Sequence, residues 1–216
     1  MSNDLVALVA DVQQEKTLVT LLSERTQALG IRPITVTMLN HPRKDAGVFR
    51  EAAAFLAVYQ PPYYDHALVL LDCSWDGSPG PPTAIQSTIK GHLHARGWPD
   101  DRCEVIAIAP ELEAWVWATS PVVPDVLRTT WEDIHALADQ HGYWMDDAAK
   151  PHHPKDLLEA VLKHQRRPAR QQSFRNWHAA SEYDGVKTPP FRCYGRRCRA
   201  GSPHNREWVD QAKLAS

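Results

Sequence analysis

Apolar residues in the first hundred or so positions fall into four short blocks, separated by stretches of a different period. Leu5-Val-Ala-Leu-Val-Ala10 is unbroken and rich in β-formers, the pattern of a strand covered on both faces. Ile34, Val36 and Met38 alternate within residues 31–39, residues 67–71 form another continuous run, and residues 104–109 form a fourth. Between them the spacing lengthens. Leu18, Val19, Leu22 and Arg25 recur at helical intervals within 15–29, and Gly30 is a natural stop. Phe49, Ala52, Ala53 and Leu56 make a stripe in 47–59 that Pro61-Pro62 closes. Ile85, Ile89 and Leu93 do the same in a helix predicted over 83–96, with Thr83 as its cap. Strands alternating with helices require crossover connections, so the pattern predicts an α/β fold with a mostly parallel four-stranded sheet flanked by helices.

Past Glu111 the strand pattern ends. Residues 111–119 predict a helix or a turn into one, with Trp115 and Trp117 as bulk. Residues 131–141 carry Ile134, Leu137 and Ala138 on one face, and 154–165 carry Leu157, Leu158, Val161 and Leu162. After about Arg170 no periodicity remains. The expected organisation is an α/β domain over 1–120, a helical appendage over 121–168 and a basic, irregular tail over 169–216.

Composition sharpens this picture in three ways. With 216 residues, 43% of them hydrophobic, the chain can bury one sizeable core. No apolar run approaches the roughly 20 residues of a membrane helix, so no membrane association is expected. The start, Met-Ser-Asn-Asp, lacks the basic region of a secretory signal, which makes the cytoplasm the expected compartment. Cys73 and Cys103 fall in or beside strand patterns, where a thiol behaves as a small hydrophobe. Cys193 and Cys198 lack a second ligand pair for zinc and read as unliganded thiols. The net charge of −2 conceals an asymmetry: residues 1–162 hold 12 Lys/Arg against 22 Asp/Glu, a balance of −10, whereas 163–216 hold 12 against 4, a balance of +8. An acidic body with a basic tail allows two readings, a tail that meets the body or solvent and a tail that touches nucleic acid.

Ligands of open parallel sheets bind beyond the carboxyl ends of the strands. Acids stand at or just past three such ends here: Asp11 with Glu15 a helical turn later, Asp72 with Asp76, and Glu111 with Glu113. If the first, third and fourth strands are neighbours, these carboxylates converge. Such a cluster repels itself until a hard cation neutralises it or some members take up protons, and Mg²⁺ suits an all-oxygen donor set. The alternative is that each acid serves locally as a helix cap or first-turn dipole partner. His41 and Arg43 follow the second strand and are candidates for phosphate contact, the alternative being a rigid His-Pro-Arg loop.

A strand ending in an acid, a later strand running into Asp72-Cys-Ser-Trp-Asp76, and a strand leading to Glu113 together resemble a degenerate Toprim-like domain. More narrowly, Leu5-Val-Ala-Leu-Val-Ala-Asp11, Leu29-Gly-Ile-Arg-Pro-Ile34, His41-Pro-Arg43, His66-Ala-Leu-Val69 and Pro110-Glu-Leu-Glu-Ala-Trp-Val-Trp-Ala118 resemble the fourth component of bacterial methylation-associated defence systems. Lys150-Pro and Pro154-Lys-Asp-Leu-Leu-Glu-Ala160 extend the likeness, which covers roughly residues 4–168. The Toprim pattern normally has a Glu where Asp11 stands, and its Asp-x-Asp is here stretched to Asp72 and Asp76.

The resemblance implies an antiviral protein working with other defence proteins and with DNA. It further implies Mg²⁺ held by Asp72, Asp76, Glu113 and Glu111, with Asp11, Glu15 or Glu113 in catalytic roles on phosphodiester bonds. The competing expectations are a non-catalytic partner, sensitive at Trp75, Trp115 or Trp117, and a nucleotide-binding domain. The last is disfavoured because Asp11-Val-Gln-Gln-Glu15 stands where a glycine-rich phosphate loop belongs.

Overall fold

The computed structural model describes residues 3–145 and 147–165; the expectations for the 169–216 tail, including Cys193 and Cys198, lie outside these residues. The elements run β1 (Asn3–Val9), α1 (Val12–Glu24), α2 (Thr26–Leu29), β2 (Val36–Asn40), α3 (Lys44–Phe55), β3 (Tyr64–Asp72), α4 (Pro82–Ala95), β4 (Cys103–Ile108), α5 (Val122–Leu127), α6 (Trp131–His141) and α7 (Pro154–His164). Short 3-10 turns follow α3 (Leu56–Tyr59), precede β4 (Asp100–Arg102) and follow it (Leu112–Trp115). The sheet is all parallel, with strand order β2-β1-β3-β4.

Strand periodicity explains why the sheet is covered on both sides. Val6, Leu8 and Ala10 point to one face, where α3, the turn after it and α4 supply Val48, Ala52, Leu56, Ile85, Ile89 and Leu93. Leu5, Ala7 and Val9 point to the other, against Leu18, Leu22 and Leu29 from α1 and α2. A third core joins Val116 and Trp117 to α5, α6 and α7. No helix among the described residues is long and apolar enough to cross a membrane.

Three local departures from expectation have physical causes. The strand expected over 31–39 begins only at Val36. Pro33 has no N–H to give a ladder, and the N–H of Thr35 is taken by Asp4 Oδ2 at 2.8 Å. Asp4 also pairs with Arg32, which holds its carboxyl down at about 2. The first helix stops at Glu24; a turn at Arg25 redirects α2, so that Leu29 and Ile31 reach the core, and Gly30 closes α2 at φ 65°. Thr83 is not a cap: α4 starts at Pro82, whose fixed φ suits the first helical turn.

The segment after β2 is built around a buried histidine. His41 is 2% exposed; its Nδ1 accepts the Arg43 N–H at 3.1 Å and its Nε2 lies 3.1 Å from Glu51 Oε2. Accepting at Nδ1 places the proton on Nε2, which therefore donates to Glu51. Burial and then the Arg43 charge push His41 below its usual range, which agrees with a neutral ring. The Phe55 ring packs against it at a tilt of 48° with centroids 4.5 Å apart, and Gly47 lies against its edge. A Cβ at Gly47 would stand 2.1 Å from Nδ1. Gly47→Ala is therefore expected to cost about 3 kcal/mol through overpacking, read as a lowered urea midpoint. A midpoint within error of the parent would show that the ring can yield.

Candidate functional site

In the strand order β2-β1-β3-β4 the chain passes from β1 to β2 on one side and then back to β3 on the other, which makes the carboxyl ends of β1 and β3 the switch point, the place of the ligand crevice in open parallel sheets. Val9 is level with Leu70, so two residues further along each strand come Asp11 and Asp72. Asp72 itself is level with Ile108 of β4, and Cys73 and Ser74 donate to the carbonyl of Pro110, at 3.1 and 2.9 Å. That pairing carries the chain of Glu111 and Glu113 to the same end of the sheet. Strands one, three and four are neighbours, as the convergence of the acids requires.

Asp72 is the centre of the resulting field. Its Oδ1 is shielded from solvent and has no hydrogen-bond partner. Burial, then the charges of Asp45, Glu113, Asp11 and Glu111, raises its carboxyl from the ordinary aspartate range to about 8. Glu113, 6% exposed, sits in the 3-10 turn after β4; burial raises its carboxyl, with Glu111 and Asp11 adding to the effect. The neighbouring Cys73 thiol is pushed up to about 11 by burial and then by Asp72 and Asp45, so it stays protonated and unreactive.

The other expected residues have individual placements. Asp11 caps α1, its Oδ1 accepting the N–H groups of Gln13 and Gln14 at 2.8 and 2.9 Å, while its charge still reaches Asp72. Glu15 is bound to the side-chain amide of Asn40. Glu111 Oε1 accepts the N–H of Lys155 at 3.3 Å, capping the start of α7 and tying the appendage to the site. The Lys155 charge lowers both Glu111 and Glu113, against the burial that raises them. Asp76 lies on the exposed loop after β3 and is not among the charges acting on Asp72.

His41, expected at a phosphate, has a buried ring with both nitrogens engaged within the protein. Arg43, largely exposed, pairs with Glu51. The three tryptophans at which a non-catalytic partner would be sensitive differ in exposure. Trp117 is 1% exposed in the third core, and Trp75 and Trp115 are partly covered.

Sequence reasoning missed Asp45. α3 begins one residue before it, at Lys44, and the first turn of the helix delivers Asp45 to the crevice. There Asp45 Oδ1 accepts the N–H of Asp72 at 2.9 Å. An acid in a helix's first turn after a strand was the available signal. Among the described residues no three His, Cys, Asp or Glu side chains form a ready ion cage. Comparison with protein-family models, with curated proteins and with solved structures finds no match.

Proposed function

We propose that this protein is a Mg²⁺-dependent component of a bacterial methylation-associated defence system, acting in the cytoplasm on phosphodiester bonds of DNA alongside other defence proteins. The observation that carries the reading is Asp72, a half-buried carboxyl group at the switch point of the sheet, with one shielded, unpartnered oxygen and four other acids acting on it. The defence setting comes from the sequence resemblance.

The donor set fits a hard cation. The four acids whose charge acts on Asp72 offer oxygen, and Mg²⁺ commonly uses one or two carboxylates together with waters and substrate phosphate. Asp72 and Glu113 would hold it. When bound, the ion supplies charge stabilisation at a phosphate and lowers the pKa of a coordinated water. Lys155 sets a positive charge near Glu111 and Glu113, which offsets the repulsion between an acidic crevice and a polyanion.

The test is nicking of supercoiled plasmid by the full chain. Cleavage is expected with Mg²⁺, and is expected to disappear with EDTA and in Asp72→Asn and Glu113→Gln. A folded parent protein that leaves the plasmid intact in both Mg²⁺ and Mn²⁺ would retire the catalytic reading. A second reading, a non-catalytic partner that binds other defence proteins or nucleic acid, is favoured by the caps that occupy Asp11 and Glu111. Under it, phage protection persists in Asp72→Asn.

A further inference from the structure

The helical appendage brings together rings from two separate stretches of chain. α6 ends at His141, and Gly142, at φ 66°, turns the chain in a left-handed cap, with the Tyr143 N–H returning to the Ala138 carbonyl at 2.9 Å. The Tyr143 carbonyl then accepts the N–H groups of His152 and His153, at 3.1 and 3.3 Å. These backbone bonds set four rings in series. His141 stacks on Tyr143 with centroids 5.2 Å and planes 19° apart. Tyr143 meets His153 edge-on at 5.9 Å, and His153 meets His152 at 4.5 Å.

Core packing does not account for this row. His141, His152 and His153 are exposed and Tyr143 is half-buried, so the rings meet one another without closing a core. His141 has one face on Tyr143 and is still exposed, which leaves its other face open to a further ring. Histidine and tyrosine carry polar atoms at the ring edge, which suits a flat partner with donors and acceptors of its own.

Two further observations select that partner. His153 immediately precedes α7, and its charge, like that of Lys155, acts on Glu111, which in turn acts on Asp72. The row therefore starts at the rim of the acidic crevice. Residues 163–216, which begin in the last turn of α7, hold 12 Lys/Arg against 4 Asp/Glu. The row itself is not cationic, since His153 pairs with Asp156 at 3.6 Å; attraction for a polyanion comes from the basic stretch that follows. Aromatic rings for bases together with cationic residues for phosphates are the combination that single-strand binders use, whereas a duplex hides its base faces.

We infer that His141, Tyr143, His152 and His153 form a stacking surface for the unpaired bases of single-stranded DNA. The inference deepens the proposed function, on which it rests for cleavage, by making a single strand the substrate offered to the crevice.

The experiment is fluorescence anisotropy of the full chain, in EDTA, with a labelled thymidine oligomer of about 12 nucleotides and with an abasic strand of equal phosphate count. The parent is expected to bind the base-bearing strand about ten-fold more tightly than the abasic one. That preference is expected to fall towards unity in His141→Ala and His152→Ala and to persist in His141→Phe, which keeps a ring. Thermal melts verify that each variant is folded, and His153→Ala replaces either alanine variant that is not. Equal binding of the two strands by the parent, binding of neither, or an undiminished preference in both alanine variants would overturn the inference. Base-dependent binding by a parent that leaves DNA intact in Mg²⁺ and Mn²⁺ would uphold the stacking surface and retire the catalytic reading. Mg²⁺-dependent nicking without any base preference would do the reverse.

Discussion

In EDTA at pH 8.5, Asp72→Asn is expected to melt well above the parent protein. Burial and its acidic neighbours raise Asp72 to about 8 in the folded chain, whereas the unfolded chain ionises near the ordinary 3.8. Between those values the native state binds more protons than the unfolded state, so stability falls as pH rises from about 4 to about 8. Above the folded value the full penalty is present, on the order of 5 kcal/mol. Asparagine removes the charge and with it the penalty. The advantage of the variant should therefore vanish near pH 4, grow through neutrality and level off above pH 8. Thermal or urea unfolding across that range measures it directly. Equal stability of the two proteins at pH 8.5, or a gap that ignores pH, would show that Asp72 is not held in a charge-excluding site. On the proposed function Mg²⁺ raises the parent's melting point and not the variant's, so one substitution separates stability from activity.

The second large effect is expected in the third core. Trp117 is 1% exposed, its indole Nε1 donates to the Pro154 carbonyl at 2.9 Å, and its ring meets Trp144 edge-on at 6.0 Å. Truncation to alanine removes the largest side chain of the third core and strands a buried carbonyl. The expected loss is about 3–5 kcal/mol. The buried residues of that core, on Val116, Trp117 and α5 to α7, are distinct from those on the two faces of the sheet, so the damage should be local. Hydrogen exchange of Trp117→Ala should show lost protection across α6 and α7 with β1 and β3 still protected. Uniform loss over the sheet would show that the appendage and the α/β body unfold as one unit. The Glu111 cap on α7 should loosen in the same variant, since it depends on where the helix starts.

The sheet was legible in the sequence because unbroken apolar runs such as Leu5–Ala10 have few other physical solutions, and because helices of clear period separate them. The acids at strand ends were legible for the same reason: Asp11, Asp72 and Glu113 stand where the runs stop. What composition and period could not reveal was set by tertiary hydrogen bonding. Asp45 reaches the crevice only because α3 begins at Lys44, in a turn organised by the His41 ring and the absence of a side chain at Gly47. His41 looked available for phosphate because it follows the second strand; its burial depends on Glu51 and Phe55, 10 and 14 residues further along the chain. Asp76 looked equivalent to Asp72, yet the loop that follows β3 leaves it in solvent. Pro33 was in plain view, and its effect on the second strand could have been foreseen.

The all-parallel ladder also constrains how the chain comes together. Leu5 pairs with His66, about sixty residues later, and even its nearest-sequence strand partner, Val36, lies beyond two helices. No hairpin exists among these strands to start the sheet cheaply, so the loop-closure cost falls on the earliest steps, and slow assembly follows for a domain of this size. During synthesis β1, apolar on both sides, waits for β3 to emerge. In that interval one edge of β1 and both of its apolar faces lack the partners that cover them in the folded sheet.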